Sequence, residues 1–312
     1  MLTNSAPMPA FLSSEEAAFY REHGWLQVPG VLDPALLDEA LGGLEQHWAG
    51  HRDRLLPGAG RYFVDWMPGD GAGSRNNEYL SLQNHRISRL AWSPVIGAIA
   101  ASATGSSEIR LFDDQMVYKP GGGEAVVGWH VDGDYWQTCS SQEMLTAWIP
   151  LHDCPDEMGP LVVLDGSHRW SHLLDRSALS FHSNDLESLR EPVETLGFAF
   201  TPVSMPLRRG QFSLHHCRAI HGSYANRSDR PRIALAVHLQ DERNRYRPAV
   251  RRDGRPVELF NDRICRKNAE GEANEGMLAL LRDAFDRDKR VRVEFIRTGC
   301  ASGRIIRVIL ES

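Results

Sequence analysis

Paired cysteines are missing from this sequence. Its five cysteines, Cys139, Cys154, Cys217, Cys265 and Cys300, are odd in number and widely spaced, with no C-x-x-C among them. That disfavours both a disulfide framework and a thiolate zinc site. No run of eighteen apolar residues occurs, and the opening "MLTNSAPMPAFLSSEE" has neither a basic n-region nor an apolar h-region. A spanning helix and a secretory leader are therefore not expected, and the simplest reading is a soluble cytoplasmic protein without a membrane partner. An excess of basic residues is also absent: 35 Lys and Arg stand against 41 Asp and Glu, a net charge of -6, with the two signs intermixed. Nucleic acid is a poor fit as partner, because phosphate recognition needs a basic face. Repeats and low-complexity tracts are lacking too. What remains is an ordinary globular composition of 312 residues, 42% hydrophobic, long enough to bury a sizeable core.

Helical signals crowd the first third. In "LSSEEAAFYREHG", Ser13 caps a helix, Glu16 completes a capping box and Gly24 supplies the stop. A short strand, "WLQVPGVL", follows. A second helix starts at Asp33 and Pro34 and places Leu36, Leu37, Ala40, Leu41 and Leu44 on one face. Residues 51–80 show no sustained period and read as a long loop that covers a site; helical spacing resumes at 92–104.

From residue 109 the texture changes to short strands punctuated by Gly, Pro and Asp: "IRLFDDQMVYKP", "VGWHVDGDYW", "EMLTAWIPLHD", "GPLVVLDGSH", "GQFSLHHCRAIHGS" and "RIALAVHLQ". Helices first and strands after predict an α+β fold with an antiparallel jelly-roll core. Residues 171–200 interrupt the strands as an insertion. The tail, 271–312, reads as an extension holding a helix, "GMLALLRDAFDRD", and a hairpin of "RVRVEFI" and "RIIRVIL", beyond a main domain spanning 1–270.

The chemistry concentrates in two places. In "VVGWHVDGDYWQ", His130 and Asp132 stand two apart, so in an extended chain they project to one face ~6.5–7 Å apart and can meet one ion. Alone, H-x-D is a weak motif. The segment "HHCRAIHGSYANRSDRPRIALAVHL" adds His221, Ser223 and an alternating strand in which Arg232, Ala234, Ala236 and His238 share a face. A guanidinium on an interior, small-residue face needs an anion, and no acid lies on that face of the strand. A bound carboxylate, gripped by Arg232 and touched by the Ser223 hydroxyl, would satisfy it. Two His and one carboxylate form the facial triad of non-haem Fe(II) oxygenases, although zinc hydrolases use a similar set. The anchored Arg favours a 2-oxoacid with a distal carboxylate, namely 2-oxoglutarate.

The sequence resembles the phytanoyl-CoA dioxygenase family of Fe(II)/2-oxoglutarate oxygenases from about residue 11 to about 268. "LSSEEAAFYREHGWLQVPGVL", "WHVDGDYW", "MGPLVVLDGSHR" and "HGSYANRSDRPRIAL" match its motifs in order. The resemblance implies a double-stranded β-helix with flanking N-terminal helices. In it His130, Asp132 and His221 bind Fe(II), while Arg232 and Ser223 hold the 2-oxoglutarate tail. Trp148 is expected against the cosubstrate with Thr146 on the same strand face, and Gln115 and Lys119 beside cosubstrate or substrate. Asp165 stands where the family has Pro. Because Asp132 fills the metal position that related halogenases leave to chloride, halogenation is disfavoured.

The expected activity is O2- and 2-oxoglutarate-dependent hydroxylation of an unactivated C–H bond in a small molecule, releasing succinate and CO2, with ascorbate as a stimulant. Desaturation, cyclisation, epoxidation and epimerisation share that chemistry. A divalent-metal hydrolase or isomerase and a non-catalytic binding module are the alternatives from other classes. The loop at 61–90 mixes Arg61, Asp65, Asn76 and His85 with Tyr62, Phe63, Trp66 and Tyr79, which suits a polar or mixed-character metabolite, such as a specialised-metabolite intermediate, better than a long acyl chain.

Overall fold

A computed structural model describes residues 12–71, 73–264, 291–297 and 304–310. Helix α1 (Ser14–His23) begins at the capping box of Ser13 and Glu16 and stops at Gly24, whose φ of 77° a side chain would resist. Strand β1 (Trp25–Val28) and helix α2 (Pro34–Trp48) follow, the latter capped by Asp33 accepting from the Ala35 amide at 2.9 Å. Leu37, Ala40 and Leu44 of α2 are fully buried; Leu36 and Leu41 flank them, partly buried. The stretch after α2 is largely irregular until β2 (Arg75–Glu78), then α3 (Leu80–Gln83), α4 (His85–Ala91) and α5 (Pro94–Thr104) close the helical layer.

Next come β3 (Ile109–Lys119), β4 (Val127–His130), β5 (Leu145–Pro150), β6 (Leu161–Leu164), α6 (Arg190–Thr195), β7 (Pro202–Ser204), β8 (Phe212–His216), β9 (His221–Ser223), β10 (Arg232–Asp241) and α7 (Asn261–Ile264). These strands form two antiparallel sheets: six strands in the order β1-β8-β5-β10-β3-β2, and four in the order β4-β9-β6-β7. This is the jelly-roll core in an α+β chain. "GQFSLHHCRAIHGS", which reads as one strand, is two: the Ala219 amide bonds back to the His216 carbonyl at 2.8 Å, and this turn passes the chain from the large sheet to the small one.

Strand β10 shows how the layers sort. Ile233, Leu235, Val237 and Leu239 pack outward against Leu37, Leu90 and Ile99 of the helices, in one core cluster. Ala234 and Ala236 face inward with Trp148, Leu161 and Val163, between the sheets. Small residues on the inner face leave room there, so the cavity follows from the alternation. A third cluster, with Trp129, Val131 and Val162, covers the outside of the small sheet.

The two tail strands, β11 (Val291–Arg297) and β12 (Arg304–Leu310), pair as a hairpin in their own sheet. The expected tail helix lies outside the described residues. Among the described residues no helix is long and apolar enough to cross a membrane.

Candidate metal and cosubstrate site

Strands β4 and β9 are adjacent in the small sheet, and their register places His130 directly opposite His221. Their imidazole centroids are 4.1 Å apart. Val131 is extended, so Asp132, at the start of a short 3-10 turn, stays on the side of His130. One ligand atom from each of His130, Asp132 and His221 can be chosen so that all lie within 4.8 Å of one another. Asp132 Oδ1 is 4.0 Å from His130 Nε2 and 3.5 Å from His221 Nε2.

The orientation of the rings is set by the backbone. His130 Nδ1 is 2.9 Å from the Gly128 carbonyl and His221 Nδ1 is 2.9 Å from the Ala219 carbonyl. A carbonyl can only accept, so each Nδ1 carries a proton and each Nε2 faces the common centre, where the neutral ring would present its lone pair to a metal. Burial, helped by repulsion from His221, brings His130 down to about 3, which leaves it neutral as a ligand must be. Burial opposes protonation of His221 as well, but the Asp132 carboxylate outweighs it and its pKa is raised. Burial would raise Asp132, yet the charge of His221 and hydrogen bonds from His215 and His221 hold it well below the usual carboxylate range.

Asp132 Oδ2 is pinned from behind. Thr146 Oγ1 donates to it at 2.6 Å and stands 2.8 Å from His238 Nδ1, while His215 Nε2 is 3.2 Å away. Thr146 thus holds the carboxylate and leaves Oδ1 for an ion, and it also lines the cavity beyond the triad.

Beyond the triad a narrow cavity runs between the sheets, walled by Trp148, Thr146, Gln115, Ser223 and Arg232. Arg232 is 2% exposed. One of its terminal nitrogens donates to the Gly159 carbonyl at 2.7 Å, its Nε has no partner, and its guanidinium lies 5.5 Å from the Trp148 ring centroid. Lys119, also 2% exposed, lies behind this wall: Nζ donates to Ser223 Oγ at 2.7 Å, to the Tyr224 carbonyl at 2.8 Å and to the Ser223 carbonyl at 3.2 Å. Burial and repulsion from Arg232 lower Lys119 to about 6, and burial lowers Arg232 to about 10. Among the described residues no carboxylate pairs with either cation. An anion lying against Arg232 would relieve both.

On the other side of the triad opens a pocket of about 400 Å3, lined by His130, Asp132, Gln115, Asp113, Glu78, Tyr79, Trp136, Phe181 and Phe260 among others. From the loop singled out in the sequence, Tyr62, Asn76 and Tyr79 reach this pocket. Asp65 and Asn77 instead form a buried brace, Asp65 accepting from Asn77 at 2.8 Å and meeting His47 at 2.8 Å. Sequence reasoning missed Phe181, Asp113 and Glu78. Phe181 arrives on the 171–200 insertion because Gly128 allows it: a Cβ there would lie 2.1 Å from the Ser180 carbonyl oxygen, and the Gly128 amide donates to Phe181 O at 2.9 Å. The Phe181 ring then sits 4.9 Å from that of His130. Asp165, odd beside the family motif, accepts from Trp25 Nε1 and meets His23 Nδ1, both at 2.8 Å, tying its turn to α1 and β1.

Comparison with known proteins agrees with this geometry. The chain is 24% identical over 185 residues to a phytanoyl-CoA dioxygenase domain-containing protein 1 homolog of Caenorhabditis briggsae, covering 57% of this chain and 62% of that relative. Among solved structures it is similar to the non-heme alpha ketoglutarate dependent carbocyclase SnoK from nogalamycin biosynthesis (27% identity, 80% and 96% of the two chains, TM-score 0.58). It is also similar to the epimerase SnoN in complex with Fe3+, alpha ketoglutarate and nogalamycin RO (26% identity, 79% and 95%, TM-score 0.57). EctD from S. alaskensis with 2-oxoglutarate and 5-hydroxyectoine shares the fold (24% identity, 83% and 89%, TM-score 0.61). The family profile of phytanoyl-CoA dioxygenase (PhyH) matches residues 20–234, and with that match over most of its length the chain belongs to the phytanoyl-CoA dioxygenase family.

Proposed function

We propose that this enzyme is an Fe(II)- and 2-oxoglutarate-dependent oxygenase that hydroxylates an unactivated C–H bond of a small molecule. The observation that carries the reading is the pairing of two features: a buried His-Asp-His triad with converging ligand atoms, and, across the same cavity, a buried Arg232 with no acid partner among the described residues. The residues fit the implied groups. His130 Nε2, Asp132 Oδ1 and His221 Nε2 would hold the metal on one side, leaving its other side open, as in a facial triad. Arg232 and Ser223 Oγ would take the distal carboxylate of 2-oxoglutarate, and the Trp148 ring would line its methylenes. Lys119 keeps the Ser223 hydroxyl in place. Metal, cosubstrate and O2 together supply the oxidising power that no side chain has.

The protein's own part is positional. Backbone carbonyls fix both imidazole tautomers, Thr146 fixes the carboxylate, and Trp136, Phe181 and Phe260 wall the pocket in which the substrate meets the site. Neighbours that catalyse epimerisation and carbocyclisation keep those outcomes as a second reading of the same site.

The test is O2 consumption and succinate release by protein supplied with Fe(II), ascorbate and 2-oxoglutarate, with mass spectrometry of candidate substrates. A product heavier by one oxygen supports hydroxylation, one lighter by two hydrogens supports cyclisation or desaturation, and one of unchanged mass supports epimerisation. Turnover without O2 and 2-oxoglutarate would establish a hydrolase or isomerase instead.

A further inference from the structure

The two sides of the triad carry opposite charge. Strand β3 sets this up by alternation: Asp113, Gln115, Val117 and Lys119 share its inner face, so one strand runs from a carboxylate at the open pocket to an ammonium behind the inner cavity. Strand β2 adds to the acidic end. Glu78 is the cross-strand partner of Gln115 and hence a diagonal neighbour of Asp113, roughly 7–8 Å apart by sheet geometry.

Around Asp113 and Glu78 the described residues offer no cation. On β10 the cross-strand partner of Asp113 is His238, whose Nδ1 is turned toward Thr146 Oγ1, 2.8 Å away. Tyr79 lies on the β2 side, its hydroxyl donating to Asn261 Oδ1 at 2.5 Å, and Asp114 faces away, bonded to Ser81. Asp113 Oδ1 is buried without a hydrogen-bond partner, while hydrogen bonds from the Tyr79 side chain and the Asp114 backbone reach the carboxylate but bring no charge; among the described residues Glu78 accepts only the Val64 amide, at 2.8 Å. The remaining acid at the pocket outside the triad, Glu258, is already paired with Arg263 at 2.7 Å. No Lys or Arg is among the lining residues, whereas the rings of Tyr79, Trp136, Phe181 and Phe260 are. Burial, with repulsion from Glu78 and Asp114, pushes Asp113 well above the usual carboxylate range, and burial raises Glu78, as expected of two acids that lack a counter-charge.

Tyr79 is also the single non-glycine residue with positive φ, 56°, among the described residues. Such a conformation persists where the surroundings enforce it, and it is concentrated at binding sites.

We propose that the substrate carries a protonated or alkylated amine, which binds against Asp113 and Glu78 within the aromatic walls of this pocket. The inference rests on reading the pocket as the substrate site of the oxygenase proposed above. It names a class that neither family nor fold specifies. The charge division also sorts the two ligands: an anionic cosubstrate is drawn to the Arg232 side and a cationic substrate to the Asp113 side, so neither occupies the other's place.

The test uses choline as probe and 3,3-dimethylbutan-1-ol as its uncharged carbon isostere. Each is titrated by ligand-observed saturation-transfer NMR into Zn(II)-loaded protein, with and without 2-oxoglutarate. Choline is expected to bind at least roughly tenfold more tightly than the isostere, the scale of a charge and cation–π preference in a desolvated site. The shape-preserving variants Asp113→Asn and Glu78→Gln are each expected to shrink that preference to about threefold or less. Equal binding of the two probes, no choline binding up to ~10 mM, or an unchanged preference in both variants would overturn the proposal. Unfolding midpoints show that the variants are folded; relieved of an unpaired buried carboxylate, Asp113→Asn is expected to melt no lower than the parent. Calorimetric titration of 2-oxoglutarate into the same samples reads the oxygenase assignment separately. Intact cosubstrate binding without choline preference sinks only the amine, and absent cosubstrate binding sinks the oxygenase.

Discussion

Replacing Thr146 by Val tests whether the triad depends on the group behind it. The side chain is 1% exposed and Val has nearly its shape, so the change removes one hydroxyl and little else. That hydroxyl donates to Asp132 Oδ2 at 2.6 Å and meets His238 Nδ1 at 2.8 Å, so it ties the carboxylate to a second strand of the large sheet. A hydrogen bond to a charged group contributes about 1.5–3 kcal/mol. Loss of such a partner behind a metal ligand typically weakens metal binding by about 10–100-fold, which is about 1.4–2.7 kcal/mol, the same range by an independent route. His215, 3.2 Å from Asp132 Oδ2, remains and keeps the loss from growing larger. The expected outcome is an Fe(II) or Co(II) dissociation constant about 10–100-fold higher for Thr146→Val, measured by competition with a chelator, with near-parental values for Thr146→Ser. Near-ultraviolet circular dichroism separates this from misfolding. Binding by the Val variant within threefold of the parent, or equal losses in the Val and Ser variants, would refute the assignment of Thr146 as the residue that orients Asp132.

Arg232→Gln is expected to raise the dissociation constant for 2-oxoglutarate by roughly 10–150-fold, the equivalent of losing a charged hydrogen bond, while leaving metal affinity within about threefold; calorimetry of Co(II)-loaded protein checks both. Lys119 donates to three oxygens as an ammonium, but burial and Arg232 lower it to about 6, so without an anion nearby it sheds that proton as pH rises past about 6. A carboxylate bound beside it restores the ammonium, so 2-oxoglutarate binding takes up close to one proton there and weakens by up to tenfold per unit as pH rises above about 6. Titration in buffers of different ionisation enthalpy reads that proton, and Lys119→Met is expected to abolish it. Gly128→Ala puts a Cβ 2.1 Å from the Ser180 carbonyl oxygen, which is backbone and cannot rotate away. It is expected to cost on the order of 1–3 kcal/mol of stability by denaturant unfolding and to displace Phe181 from His130, seen as a loss of that ring-current shift in NMR.

Local signals carried much of this protein. The capping box of Ser13 and Glu16, the Asp33–Pro34 start of α2, and the alternation of Arg232, Ala234 and Ala236 against Ile233, Leu235 and Val237 each depend on neighbours within a few residues. Hydrogen-bond reach and pleat period then specify the outcome without reference to the rest of the chain. His130 and Asp132 were legible for the same reason, being two apart in one extended segment. Tertiary structure decided what stands across from them. His221 meets His130 because β9 pairs with β4 in a second sheet, after a turn at 217–220 that breaks an apparently continuous strand. Asp113 lies in a stretch that reads as a strand and Glu78 in one that reads as a loop, yet closure of the two sheets leaves both on a pocket wall with no counter-ion among the described residues. Lys119 and Arg232, 113 positions apart, approach closely enough to repel only because β3 lies beside β10. Periodicity assigns each side chain to a face, but charge balance is summed over all the faces that enclose a volume, and only the assembled sheets define that volume.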